Sequence, residues 1–177
     1  INYDETTERL SPRVLDRTGM IFLSAQDVLA SAGAFAASSA VAPRGASAGE
    51  VFGRLRRAEN ECPDDRWELI RPLLELLRQR DESWGPGVEL SPRVFKNVQL
   101  YLANSAGVLE PASAADYAFQ QRILPVLRGR GPGFAARLKA LQEKLHDVGL
   151  PRSARHVGEA LVRAEQAFGD IDFLAYE

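Results

Sequence analysis

The sequence predicts a mainly α-helical protein, a helical bundle preceded by a short segment that holds the chain's best strand candidate. Two observations carry this reading. From Glu50 onward, apolar residues recur at helical spacing in segment after segment, and Gly or Pro closes each one. Before Glu50, only "GMIFLS" (Gly19 to Ser24) has the short apolar, β-branched and aromatic run of a strand.

The elements follow in order. "LSPRVLDR" from Leu10 reads as a helix start, because the Ser11 hydroxyl accepts from an orphan backbone N–H and Pro12 at the first helical position loses no available bond. The strand candidate comes next. Residues 25–62 are rich in Ala, Ser and Gly, which predicts a connection with short helices, such as one over "EVFGRLRRAE", and little core. Residues 63–177 form the predicted helical domain. In "PDDRWELIRPLLELLRQRDESW", Pro63, Asp64 and Asp65 suit a first turn, Trp67, Ile70, Leu73, Leu74 and Leu77 share one face, and Pro72 is a candidate kink. "GPG" at 85–87 ends that helix. "SPRVFKNVQLYLANSAG" starts another, with Val94, Val98, Tyr101 and Leu102 as its stripe and Gly107 as its stop. "PASAADYAFQQRILPVLRG" carries Tyr117, Phe119, Ile123 and Leu127, with a bend or end expected at Pro125. "GRGPG" at 129–133 reads as a turn, and "FAARLKALQEKLHDVG" and "PRSARHVGEALVRAEQAF" as the last two helices. No sheet is expected beyond the Ala-rich connection.

The chain has 177 residues, is 45% hydrophobic and carries a formal net charge of −2, so it is long enough for a substantial core and has no global attraction to nucleic acid or anionic membranes. Cys62 is the only cysteine, which excludes an internal disulfide and a thiolate-rich zinc site and fits a reducing compartment. No apolar run approaches the roughly 18 to 20 residues that span a bilayer, so no membrane partner and a cytoplasmic location are expected. The opening "INYDETT", without a start methionine, reads as the inside of a longer polypeptide.

Most candidate motifs fall away. "GRGPG" lacks the Gly-Lys-Ser/Thr of a phosphate loop. His146 and His156 have no further ligand at metal spacing, and no Ser-His-Asp or Cys-His set can be assembled. Trp67, Trp84, Tyr101 and Phe119 read as core. One feature stands out. Leu-Ser-Pro-Arg-Val occurs at Leu10 and again at Leu90, each time placing an arginine, Arg13 or Arg93, in a first helical turn. Aligned peptide dipoles leave about half a positive charge there, so an arginine is unfavourable unless an anion lies near. The plain alternatives are that Asn2 caps a turn, Arg13 pairs with Asp16, and Arg93 is a solvated first-turn residue.

"NYDETTERLSPRVLDRTGMIFL" resembles the sensor-1 to arginine-finger segment of AAA+ NTPases, and most of all the McrB-like branch of methylation-dependent restriction NTPases. In that branch a strand ending in Asn-x-Asp-Glu-Ser/Thr-Thr precedes a Leu/Phe-Ser-Pro-x-Val-Leu-Asp-Arg helix. "SPRVFKNVQLYL" and "DYAFQQRILPVLRG" are similar to its helical lid. The resemblance implies that residues 1–24 are the end of an α/β P-loop NTPase core. It implies Asn2 as sensor 1 orienting the attacking water, and Arg17 as the finger reaching a neighbouring subunit's nucleotide. Arg93 becomes a sensor-2-like residue closing the lid, and Arg13 a further residue at the nucleotide interface. Asp4 and Glu5 belong to the signature without an assigned bond. ATP or GTP with Mg2+ would be the ligand of the complete protein, a homo-oligomeric ring, expected as a hexamer, coupled to a partner such as a nuclease subunit and so indirectly to DNA. The sequence has no Gly-x4-Gly-Lys-Ser/Thr and no apolar strand ending in Asp-Glu, so no bound nucleotide or metal and no hydrolysis are expected of this chain alone. The competing expectation is a non-catalytic helical interaction module.

Overall fold

The computed structural model describes residues 11–15, 17, 19–21, 61–166 and 170–173. A short helix α1 (Pro12–Leu15) is followed among the described residues by α2 (Asp64–Arg78), α3 (Pro92–Asn104) and α4 (Pro111–Ala118). The last runs on through a π turn (Phe119–Ile123) into a 3-10 turn (Leu124–Val126). Strand β1 (Arg128–Arg130), helices α5 (Gly131–Asp147) and α6 (Pro151–Gln166), and strand β2 (Asp170–Asp172) complete the order. The protein is a helical bundle.

Helix α2 keeps the predicted face inward: Ile70, Leu73, Leu74 and Leu77 are buried and Trp67 packs against them. Asp64 and Asp65 in its first turn complement the helix dipole. Pro72 sits inside a continuous helix. Helix α3 begins as read, with Ser91 Oγ accepting from Val94 N–H at 3.3 Å and Pro92 leading the first turn. Its Val94, Val98 and Leu102 meet Ala115 and Phe119, while Leu138, Leu141 and Leu145 of α5 and Val157 of α6 close the same core. The α5 to α6 contact is the most extensive in the bundle. At its turn Leu150 N–H donates to Leu145 O at 2.8 Å and Gly149 N–H to His146 O at 3.1 Å, the paired bonds of a Schellman cap.

Pro125 ends its helix for a local reason. It has no N–H to return to the Gln121 carbonyl, and that carbonyl accepts from Met20 N–H at 3.1 Å. This bond, with buried Leu15, ties the described residues of this first segment to the bundle. Gly19, Met20 and Ile21, the described half of the strand candidate, have no strand partner among the described residues. The rest of that candidate, most of residues 1–24 and nearly all of 25–62 lie outside the described residues.

Two expectations need correction. The helical domain does contain a sheet, a ribbon in which β1 pairs antiparallel with β2, Gly129 opposite Ile171. Burial of Ile171 and Phe173, at period-2 spacing, anchors it. "GRGPG" is therefore not a free turn, since Arg128–Arg130 are strand and the helix starts at Gly131. A φ of +84° at Gly131, open to glycine at no steric cost, lets the chain pass from strand to helix without a linker.

Candidate functional site

The second Ser-Pro-Arg opening is the best-defined feature. Ser91 and Pro92 fix the first turn of the 13-residue α3, no acidic residue occupies that turn, and Arg93 is exposed on it. Pro92 and Phe95, on either side of Arg93, line a surface groove of about 870 Å³ together with Arg78, Arg80, Glu89 and Lys96. The groove thus carries three cations and one carboxylate. Arg78, Arg80 and Lys96 make no ion pair among the described residues, unlike Arg71, which pairs with Glu68, and Arg155, which pairs with Glu159.

Arg78 closes the last turn of α2 and Arg80 follows it, where cations ordinarily serve the helix carbonyls. That task is taken by Arg137. Its guanidinium, fully buried on α5, donates to Leu76 O at 3.1 Å, Leu77 O at 2.8 Å and Gln79 O at 2.7 Å through one nitrogen. The other nitrogen donates to Gly85 O at 3.2 Å and Pro86 O at 3.1 Å, and the group lies 5.5 Å from the Trp84 ring centroid. With the α2 terminus satisfied from inside, the charges of Arg78 and Arg80 are left to the groove. In the adjoining turn, bonds from the Ser83 hydroxyl and N–H hold the Asp81 carboxyl below its usual pKa.

Arg17 is exposed just after α1, with its N–H bonded to Val14 O at 3.0 Å. Asn2, Asp4, Glu5 and the side chain of Arg13 lie outside the described residues, as does Asp16. Of the predicted site residues the structure therefore places two, Arg17 and Arg93, on separate elements. The groove cations Arg78, Arg80 and Lys96 were not singled out from the sequence. "RQR" at 78–80 was the available signal, but Lys96 joins it only through the fold.

The remaining chemistry-bearing groups are structural. Asp116 on α4 caps α6, accepting from Arg152 N–H at 2.9 Å, Ser153 N–H at 2.8 Å and the Ser153 hydroxyl at 2.6 Å. His156 Nδ1 lies 2.8 Å from Gln120 Nε2, and burial lowers the imidazole pKa. Cys62 is half-buried, and burial raises its thiol pKa, which works against thiolate chemistry. Among the described residues no group of three or more His, Cys, Asp or Glu is placed to hold a metal, and no helix is long and apolar enough to cross a membrane.

In comparison with known proteins, a family model described as Domain of unknown function (DUF8727) matches residues 49–167. No curated protein and no solved structure matches. The matched span holds α2 to α6, the groove and Arg93, and covers more than half of the chain. The chain belongs to the DUF8727 family.

Proposed function

We propose that this domain is the nucleotide-closing lid of a AAA+ NTPase of the McrB-like branch, with residues 1–24 the end of its α/β core. The observation that supports this reading is Arg93, exposed in the first turn of α3 and flanked by a groove bearing Arg78, Arg80 and Lys96. Phosphoryl transfer asks a protein mainly to position groups and neutralise charge on phosphoryl oxygens, which a helix N-terminus with arginines is suited to do. Arg93 closes over a triphosphate in cis. Asn2 orients the attacking water, Arg13 lies at the nucleotide interface, and Arg17 reaches the next subunit's nucleotide. ATP or GTP with Mg2+ is held by a phosphate cradle from outside this sequence. The working form is a cytoplasmic homo-oligomeric ring, a hexamer, driving a partner such as a nuclease subunit on DNA.

The test uses a protein in which this chain is joined to its P-loop half. Fluorescent ATP and GTP are titrated into the parent, Arg93→Ala and Arg71→Ala, the last removing an exposed cation paired with Glu68 on α2. Arg93→Ala should weaken nucleotide binding about tenfold, or about 1.4 kcal/mol, with Arg71→Ala unchanged. Equal affinity in all three would rule the lid reading out.

A further inference from the structure

A second cavity, of about 420 Å³, lies between the C-terminal half of α3 and the π turn, away from the basic groove. Asn97, Tyr101 and Asn104 line it from one face of α3, at i, i+4 and i+7. Val108 and Leu109 add an apolar edge, and Val108 is 80% exposed. Arg122, from the π turn, is the one charged residue in its wall.

Arg122 carries an unmet demand. Its Nε is buried without a hydrogen-bond partner. Buried polar groups in native proteins nearly always find partners, and a charged donor is the costliest to leave without one. The side chain is also seated from behind, because its guanidinium rests on Gly19, where a Cβ would stand 2.8 Å from Cζ. Asn104 is fixed by donating to Leu100 O at 2.9 Å. Burial and the neighbouring Tyr117 hold the Tyr101 phenol above its usual pKa, partly offset by Arg122, so it remains a neutral donor.

We propose that this cavity binds a carboxylate carrying a short branched apolar group, with Arg122 and Tyr101 on the carboxylate and Val108 and Leu109 on the apolar body. A guanidinium fork matches a planar carboxylate in two parallel bonds. A lone cation balances one negative charge, which favours a carboxylate over a doubly charged phosphate. The volume falls within the range of small-molecule sites, roughly 300 to 1,000 Å³. The carboxylate belongs to a free acid or to a peptide C-terminus. This inference does not depend on the lid reading.

The test follows the Arg122 Nε–H resonance by NMR in the 177-residue chain while 3-methylbutanoate, 3-methylbutanamide, inorganic phosphate, acetyl-Gly-Leu and its C-terminal amide are titrated in turn. A saturable shift is expected with 3-methylbutanoate and not with its amide. A tighter response to acetyl-Gly-Leu than to 3-methylbutanoate assigns the site to a peptide terminus, and the reverse assigns it to a free acid. Arg122→Lys, which keeps the charge but loses the fork, and Gly19→Ala, which unseats the guanidinium from outside the cavity wall, should each weaken binding at least tenfold. Circular dichroism and backbone amide spectra check that both variants stay folded. The proposal is overturned if no probe gives a saturable shift, if the uncharged amides bind as well as the acids, if phosphate binds as tightly as 3-methylbutanoate, or if the folded variants bind like the parent.

Discussion

Arg137 and Leu77 are joined by a 2.8 Å bond from a buried guanidinium to a helix carbonyl sixty positions earlier. Four more carbonyls share that guanidinium, and the cation sits at the negative end of the α2 dipole. Replacing it with an apolar residue takes a donor from all five carbonyls, of which Leu77 O keeps Val88 N–H at 2.8 Å and Gly85 O keeps Asp81 N–H at 3.4 Å. Arg137→Met should destabilise the protein by about 1 to 3 kcal/mol, read from urea unfolding. Arg137→Lys should recover part of the loss through a smaller donor that cannot reach both the α2 end and Gly85–Pro86. Unchanged stability in Arg137→Met would mean that water takes over these carbonyls at no cost.

Asp116 links α4 to the start of α6 in a similar way. Pro151 leads the helix, and the orphan N–H groups of Arg152 and Ser153 both find the carboxylate of another helix. Asp116→Ala should cost about 1 to 3 kcal/mol, and Asp116→Asn less, since one amide oxygen can still accept. Chemical denaturation of the two variants side by side checks the order.

What was legible in the sequence was the part set by neighbours a few residues apart. The spacing of Ile70, Leu73, Leu74 and Leu77, the Ser91-Pro92 cap and the stop at Pro125 are local, and each is found in the structure. The ribbon was missed because its Gly129–Ile171 register depends on a pairing across α5 and α6. Arg137 was missed because "AARLKALQEKL" gives no local sign that an arginine in it will be the fully buried one. That outcome is decided by carbonyls from α2 and the 80–87 turn. Arg93 was legible as a site candidate through its Ser-Pro-Arg context, whereas Arg78, Arg80 and Lys96 become one surface only after α2 and α3 pack.

His156 makes stability depend on pH. Burial lowers its pKa, with Arg163 and Arg155 acting in the same direction and Glu159 opposing them. The unfolded chain then binds the proton more readily than the folded one, so stability is lost as pH falls below the ordinary histidine value and through the lower folded value. The urea midpoint should therefore drop between about pH 7 and about pH 5. His156→Gln should flatten that slope while sparing the contact with Gln120. A slope identical in parent and variant would transfer the effect to other groups.

Arg17 gives the sharpest test of the proposed motor. It is exposed after α1, which packs on the 3-10 turn, so truncating it should leave the bundle intact. A finger acting in trans stabilises charge that develops in the transition state, and such residues contribute on the order of 10³ to 10⁵ in kcat. In the protein joined to its P-loop half, Arg17→Ala should abolish most hydrolysis and leave nucleotide binding nearly unchanged, whereas Arg93→Ala should weaken binding itself. The two defects also differ in which subunit they affect. Mixing Arg17→Ala protein with protein disabled in its P-loop should restore part of the activity, because some interfaces then combine an intact finger with an intact phosphate cradle. Hydrolysis by Arg17→Ala at the parental rate, or a loss matched by a fall in its melting temperature, would make Arg17 a surface or structural residue of the turn after α1 and remove the finger assignment.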